Sequence, residues 1–418
     1  MIPRLRPSLD SREILALAGR QPDAVPLFER AFAQTFGCAH GVAFPYGRSG
    51  LWALLKSLDL SDAEVILPAY TCSTVAHAVV LSGNVPCFVD IDLSDYNMAL
   101  DDVERSITAK TRVIIATHLF GYPLNLDHLR AIVRDAEARW RQKIWIVQDC
   151  AHSFDARWKG ASVCAAPDVA LFGLNISKTI TSIFGGMITT NNPDIDRRLR
   201  SVRDGCFTAR PAIGSLERGL YLLAALAAFT PSVYGVVHWL ANHTPALDRL
   251  TRSYHLDERI HFPPDYLRLL TPLEARVGLV QLRKYADIVD HRRATAAYYD
   301  SHLQHVLGLT PPPLVDGATY SHYTVRVQDR PFWLTRLARA GVELGQVIDY
   351  VVPRWPAYRR YADRAFPKSI VAMREVMNLP VHTGVDVRER ERIVDALRRS
   401  AAEFAAGSLR DATQQPTI

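Results

Sequence analysis

An acid, an imidazole and an amine stand where short apolar runs end, and their chemistries are complementary. IWIVQDCAH (144–152) closes an apolar run on Asp149 and carries His152 just beyond it. An acid at the tip of a buried strand is commonly a helix N-cap; it is equally the counter-charge that a cationic ring nitrogen needs. LFGLNISKTITSIFGGMITT (171–190) sets Lys178 among small hydroxyl residues and apolar runs. A lysine is ordinarily a solvated surface charge, but a desolvated one has a lowered pKa and offers a neutral amine able to attack an aldehyde. PYGRSGLWALL (45–55) is a Gly-containing turn running into a helical pattern. Free N–H groups at such a helix start, aided by the helix dipole, form an anion cup, although Gly-Ser turns before helices are common without that role. In chain order, an anion cup, Asp149 and Lys178 are the parts that pyridoxal 5′-phosphate (PLP) requires. They provide a phosphate site, a carboxylate that keeps the pyridine nitrogen protonated, and an amine for the Schiff base.

The elements that must position these residues show in the hydropathy pattern. AEVILPAY (63–70), VPCFVDID (85–92), TRVIIATHLFG (111–121), KIWIVQDCAH (143–152), DVALFGLN (168–175) and GGMITT (185–190) read as strands. Amphipathic stretches at 51–58, 74–82, 126–139 and 195–203 lie between them. Such alternation predicts an α/β fold with a mostly parallel sheet and helices on both faces. Ligands in such folds sit beyond the C-terminal strand ends, which singles out Tyr70, Thr71, Asp90, Asp92, His118, Asp149 and His152. Plainer roles stand beside the functional ones. His118 is a hydrogen-bonded strand-end histidine or a substrate contact, Asp90 and Asp92 shape a loop rather than hold a metal, and Cys150 is a small packing residue.

The second half reads as a smaller α+β domain. It has a long helical pattern over 272–304, a strand at 320–327, a helix around 331–340, LPVHTG (379–384) and a charged helix after it. The expected organisation is a large domain over 1–255, a small domain over 256–405 and a frayed tail over 406–418. The stretch 219–247, inside an apolar insertion at about 211–250, contains no Asp, Glu, Lys or Arg. Pro231 should break it into two short helices, so a single clean span of about 20 residues is not expected. It either packs on the core or a partner subunit, or lies as an interfacial hairpin at a membrane surface.

With 48% hydrophobic and 22% charged residues in 418, the composition excludes a disordered or collagen-like chain. The net charge of +6 is spread along the chain, which argues against a nucleic-acid partner and suits an anionic substrate or surface. The six cysteines form no CxxC pair and have no zinc-ligand spacing. The start, MIPRLRPSLDSREILAL, lacks the uncharged core of a signal peptide. A cytoplasmic enzyme is expected, with membrane association through 219–243 as the alternative placement, and no metal.

Several fragments together carry a family resemblance: PLFERAFAQTFGCAHGVAF, SGLWALL, EVILPAYT, GNVPCFVDIDLSDYNM, ITAKTRVIIATHLFGYP, VQDCAHSFDARWKG, NISKTITSIFGGMITTN and NLPVHTGVDVRERERIVDAL. In this order and spacing, over about 26–399, the chain resembles the PLP-dependent sugar aminotransferases of the DegT/DnrJ/EryC1/StrS family, a branch of fold type I. The resemblance implies an amino transfer from a donor such as glutamate to a keto-sugar, with a nucleotide-linked one expected, in a homodimer. A lipid-linked or other hydrophobic ketone is the alternative acceptor, and a non-catalytic regulatory protein the alternative role. The family's cofactor-binding lysine falls on Lys178, its pyridine-nitrogen acid on Asp149, its ring-contacting residue on His152, and its phosphate-cup dipeptide on Ser49 and Gly50. Members that lack the lysine dehydrate rather than transaminate, so Lys178 points to transamination.

Departures accompany the match. Leu51 stands where a hydroxyl residue follows the dipeptide, so only its N–H is available. Gly173 stands for a phosphate-contacting serine and Leu267 for a partner-subunit asparagine. The ring-covering aromatic falls on Cys72, with Tyr70 two residues earlier as a substitute. Arg48, beside the cup, is able to supply a charge-assisted phosphate contact instead.

Overall fold

The computed structural model describes residues 1–165, 168–244, 259–362 and 364–413. Seven strands form the main sheet: β1 (His40–Phe44), β2 (Glu64–Pro68), β3 (Val85–Val89), β4 (Thr111–Thr117), β5 (Trp145–Asp149), β8 (Val169–Gly173) and β9 (Gly186–Thr190). A two-residue ribbon, β6 (Arg157–Trp158) and β7 (Ala161–Ser162), intervenes. The sheet order is β1-β9-β8-β5-β4-β2-β3. β9 runs antiparallel to β1 and β8, and the other pairings are parallel. β1 is absent from the sequence-predicted strands, since HGVAF is short and carries glycine and alanine, poor strand formers. Gly41 is required there by space: a Cβ would lie 2.6 Å from the carbonyl oxygen of Glu29.

Helices cover both faces, as continuous apolar strands demand. One face packs helix Ala24–Thr35 through Phe28 and Phe32 against Phe154 and Phe172. The other packs helices Gly47–Ser57 and Ser73–Leu81 through Leu51, Leu54, Leu55 and Val79 against Val65, Leu67 and Ile188. Helix Pro272–Leu303, opened by a Thr271–Glu274 capping box, joins two cores. Its early part packs with Phe28 and its late part (Ala296, Tyr299, Leu303) belongs to the small domain's core.

The smaller unit has an antiparallel sheet of β10 (Leu309–Thr310), β11 (Tyr323–Val327) and β12 (Val376–Leu379). The chain start attaches to it: Ile2 N–H donates to Gly341 O at 2.8 Å, and Glu343 N–H to Ile2 O at 2.9 Å. A pairing this brief leaves no periodic signature. The boundary expected at 255/256 lies outside the described residues. The last helix runs Val387–Thr413, beyond the point where the frayed tail was expected to begin.

The apolar insertion breaks where expected. Helices Ala212–Ala228 and Pro231–His243 meet with Pro231 in the second helix's first turn. They are bent by 103°, and no single described helix is long and apolar enough to cross a membrane. Its inner face is packed: Leu222 is fully buried among Tyr46, Ile183 and Phe184. Its outer face is exposed. Ile213, Leu216, Leu220, Val236 and Trp239 are each more than half accessible, with Ile213 at 64%.

Candidate active site

Asp149 ends β5, registered between Thr117 of β4 and Leu171 of β8. Only 5% exposed, its Oδ1 accepts the Ala151 N–H at 3.1 Å. Burial pushes this carboxyl above its usual range, against the pull of the Ala151 N–H and the Lys178 charge. An acid held this way calls for a cation. The Thr117 hydroxyl beside it is buried without a well-formed hydrogen bond.

Lys178 lies on the loop between β8 and β9. That loop is pinned from several sides. Leu174 N–H donates to Gly185 O and Ser182 N–H to Leu174 O, both at 2.9 Å, and Lys178 N–H donates to Asn175 O at 3.0 Å. Gly185 adopts φ +118°, a conformation that glycine reaches without a Cβ penalty. Desolvation lowers the Lys178 pKa and Arg48 lowers it further, while Cys72 and Asp149 pull the other way. The Lys178 amine makes no hydrogen bond or ion pair among the described residues.

His152 follows β5 on a tight turn. Its ring lies 4.9 Å from that of His322 and stacks at 6.1 Å on Phe120. Burial, then Lys178 and His322, hold it well below its usual pKa and therefore neutral. Its Nδ1 is buried with no partner.

These groups share one pocket of about 760 Å³ with Tyr46, Gly47, Arg48 and Leu51 from the start of helix Gly47–Ser57, and with Thr71, Cys72, Gly173 and Asn175. The structure thus brings Lys178, Asp149, His152, Arg48, Leu51 and Cys72 together. Ser49 and Gly50 do not line this pocket. Gly47 and Arg48 line the pocket, whereas the Ser49 hydroxyl donates to Tyr266 O at 2.7 Å and Gly50 packs on Phe44 and Ile188. With the helix beginning at Gly47, the Ser49 side chain and the Gly50 backbone face other parts of the chain, while Arg48 and Leu51 line the pocket. Tyr70 also departs from expectation. It is fully buried in the core beneath the small domain and donates its hydroxyl to Ile348 O at 3.1 Å, whereas Thr71, next in the chain, lines the pocket.

The other strand-end candidates take structural roles. His118 is fully buried, shares a 2.7 Å hydrogen bond with Gln148 Oε1, accepts the Leu124 N–H on Nδ1 and is pushed down to about 4 by burial. Asp90 accepts both N–H and O–H of Ser369 and the N–H of Lys368 at the start of helix Pro367–Glu375; Asp92 pairs with Lys368. No group of three or more His, Cys, Asp or Glu among the described residues could hold a metal ion.

Sequence reasoning passed over Tyr46. Its hydroxyl donates to Asp265 at 2.8 Å and accepts from Arg218 at 2.8 Å. Arg218, only 6% exposed, also pairs with Asp265 at 2.8 Å and lies 3.8 Å above the Phe184 ring. The inserted hairpin is thereby tied both to the cup's first turn and to the lysine loop. The available signal was a single arginine at the edge of a charge-free apolar stretch.

The residues present fit PLP. Orphaned polar atoms at His152 and Thr117, a buried acid without a salt-bridge partner and an unpaired amine face one space that a helix start closes. A lysine on the loop before the antiparallel strand of such a sheet, opposed by a strand-tip acid, defines the fold type I class of PLP-dependent enzymes. The comparisons resolve the class further. The DegT/DnrJ/EryC1/StrS aminotransferase family matches residues 13–214 and 257–398, and the chain belongs to this family of PLP-dependent transaminases. The dTDP-4-dehydro-2,3,6-trideoxy-D-glucose 4-aminotransferase of Saccharopolyspora spinosa is 27% identical over 380 residues, 89% of this chain and 88% of that enzyme. The dTDP-3-amino-3,6-dideoxy-alpha-D-galactopyranose transaminase of Aneurinibacillus thermoaerophilus is 25% identical over 377 residues, 89% of this chain and 88% of that enzyme. The sugar aminotransferase CalS13 from Micromonospora echinospora shares the fold at TM-score 0.76 and 23% identity, covering 96% of this chain and 100% of its own. Residues 215–256, which include most of the inserted helix pair, fall between the two matched segments.

Proposed function

We propose that this transaminase moves an amino group from an amino-acid donor, glutamate being the leading candidate, to a nucleotide-linked keto-sugar in the cytoplasm, acting as a homodimer. The observation that carries the chemistry is the convergence of Lys178, Asp149 and His152 on one pocket. The sugar class is supported by the two curated relatives, both named as acting on dTDP-sugars. When bound, PLP supplies a carbonyl carbon for amines and a ring that draws electrons from the bond to be broken. Lys178 would anchor it and, once displaced by the donor amine, its Nζ would take the proton from the donor's Cα and deliver it to the cofactor side of the bond instead of back to Cα. Asp149 would hold the ring nitrogen's proton. His152 is kept neutral and walls the space against Phe120 and His322, which spares the ring a competing cation. The net charge of +6 favours approach of a diphosphate.

A half-reaction screen tests this reading. Enzyme converted by glutamate to its pyridoxamine form should recover the original visible spectrum with a nucleotide-linked keto-sugar and not with simple 2-oxo acids other than 2-oxoglutarate. Recovery by 2-oxo acids of many kinds and by no keto-sugar would sink the sugar assignment.

A second reading, in which the acceptor is a lipid-linked sugar or another hydrophobic ketone, is favoured by the exposed apolar face of the hairpin. Monomeric soluble proteins rarely leave such contiguous patches bare. Wild-type protein should then float with anionic liposomes, and Leu216→Ser combined with Leu220→Ser should cut the floated fraction several-fold. Equal flotation of both, or none of either, removes membrane contact.

A further inference from the structure

We propose that Arg48 binds the phosphate of the cofactor as a charged substitute for the neutral side-chain ligands that the family resemblance implies at positions 51 and 173, an inference that rests on the PLP reading of the site. Its position is the first observation. Arg48 lies in the first turn of helix Gly47–Ser57 and lines the pocket together with Lys178 and Asp149. The first intrahelical hydrogen bond there runs from Gly50 N–H to Tyr46 O, so the N–H groups of residues 47–49 have no partner within the helix.

Its lack of a counter-ion is the second. The half-buried guanidinium makes no hydrogen bond or ion pair among the described residues, and its carbon lies 5.7 Å from the centroid of the Tyr46 ring. The other buried arginines near this site are matched: Arg210 and Arg218 both pair with Asp265, at 2.9 and 2.8 Å. A planar fork of donors left without an acceptor at a helix start is suited to a phosphate dianion.

The loss of side-chain ligands at the positions the resemblance implies is the third. At the positions where the family resemblance implies phosphate-binding side chains, Leu51 and Gly173 offer none. Leu267 packs against a core cluster of its own chain, the one that holds Phe207. The Ser49 hydroxyl is taken by Tyr266 O. Arg48 is the remaining cation that lines the pocket, apart from Lys178 itself, among the described residues.

The test separates the phosphate from the ring by titrating apoprotein with PLP and with pyridoxal, which lacks the phosphate, and reading absorbance and intrinsic fluorescence. Removing a charge-assisted contact should raise the dissociation constant for PLP about 10- to 100-fold in Arg48→Ala and leave that for pyridoxal within about twofold of wild type. Arg48→Gln keeps most of the stem against Tyr46 and should follow the same pattern, which guards against a folding defect in the alanine variant. Gly173→Ser in the Arg48→Ala background should recover part of the loss, since a Cβ there meets only the Lys178 Cε, at 3.4 Å, and Ala151. Unchanged PLP affinity in both Arg48 variants, or equal weakening of PLP and pyridoxal, would overturn the proposal while leaving the cofactor assignment intact. Wild-type protein that binds neither aldehyde would overturn the cofactor assignment as well.

Discussion

Lys178→Ala should abolish amino transfer, with turnover falling by at least about 10⁴-fold, because one side chain supplies both the covalent anchor and the proton carrier. The substitution removes a group that contributes little to the fold. The Lys178 amine has no hydrogen-bond partner among the described residues, and desolvation already disfavours its charged form. The variant's thermal midpoint should therefore stay within a few degrees of wild type, so that lost activity reports chemistry rather than unfolding. Its solution with added PLP should lack the visible band of lysine-linked cofactor, and borohydride should leave no label on the 178-containing peptide. A small primary amine such as methylamine should restore a measurable fraction of turnover by occupying the vacated space beside Gly173. Turnover within tenfold of wild type, without added amine, would show that another residue does this work.

The residues that carry chemistry were legible because each closes an apolar run. Asp149 and Lys178 follow strands whose β-branched content marks them plainly, and the rule that ligands meet C-terminal strand ends placed both in one space. The helix start was legible as a motif, and of the residues expected to form a cup there Arg48 and Leu51 line the pocket while Ser49 and Gly50 do not. GRSG holds two glycines three positions apart, and they do different work. Gly47 lets the helix start approach β8, where a Cβ would lie 3.2 Å from the Gly173 Cα, whereas Gly50 admits the side chains of Phe44 and Ile188 from β1 and β9. Composition does not separate these two demands; only the point at which the helix begins does. Tyr70 failed for a related reason, since strand-end position fixes neither face nor depth. The hairpin's break at Pro231 was visible in the sequence, while its two faces were not. Both are apolar, and what distinguishes them is that Leu222 and Arg218 meet the lysine loop and Tyr46 while Ile213 and Leu220 stand more than half exposed.

Asp149→Asn should separate catalysis from stability in opposite directions. An amide cannot hold the ring nitrogen as a cation, and loss of that electron sink should reduce turnover by about 10³-fold. Stability of the apoprotein follows from linkage. The folded-state pKa of Asp149 is raised, with burial as the largest cause. A group raised above its unfolded value contributes stability that is present at low pH and is lost as pH rises through its folded value. As pH rises, ionising this buried carboxylate costs the wild-type apoprotein stability, a penalty that the amide removes. The carbonyl of the introduced amide can still accept the Ala151 N–H, and its new N–H₂ group faces the orphaned Thr117 hydroxyl. The apo variant should thus unfold at the same or a higher temperature than wild type at pH 8, with the advantage shrinking as the pH is lowered toward 4. With PLP bound the order should reverse, since the ring's cation turns the buried carboxylate from a liability into half of an ion pair. Parallel thermal scans of apo and loaded protein at the two pH values check each sign. An apo variant markedly less stable than wild type at pH 8 would mean that Asp149 is held by partners other than the cofactor, and that the acid shapes the fold before it serves the reaction.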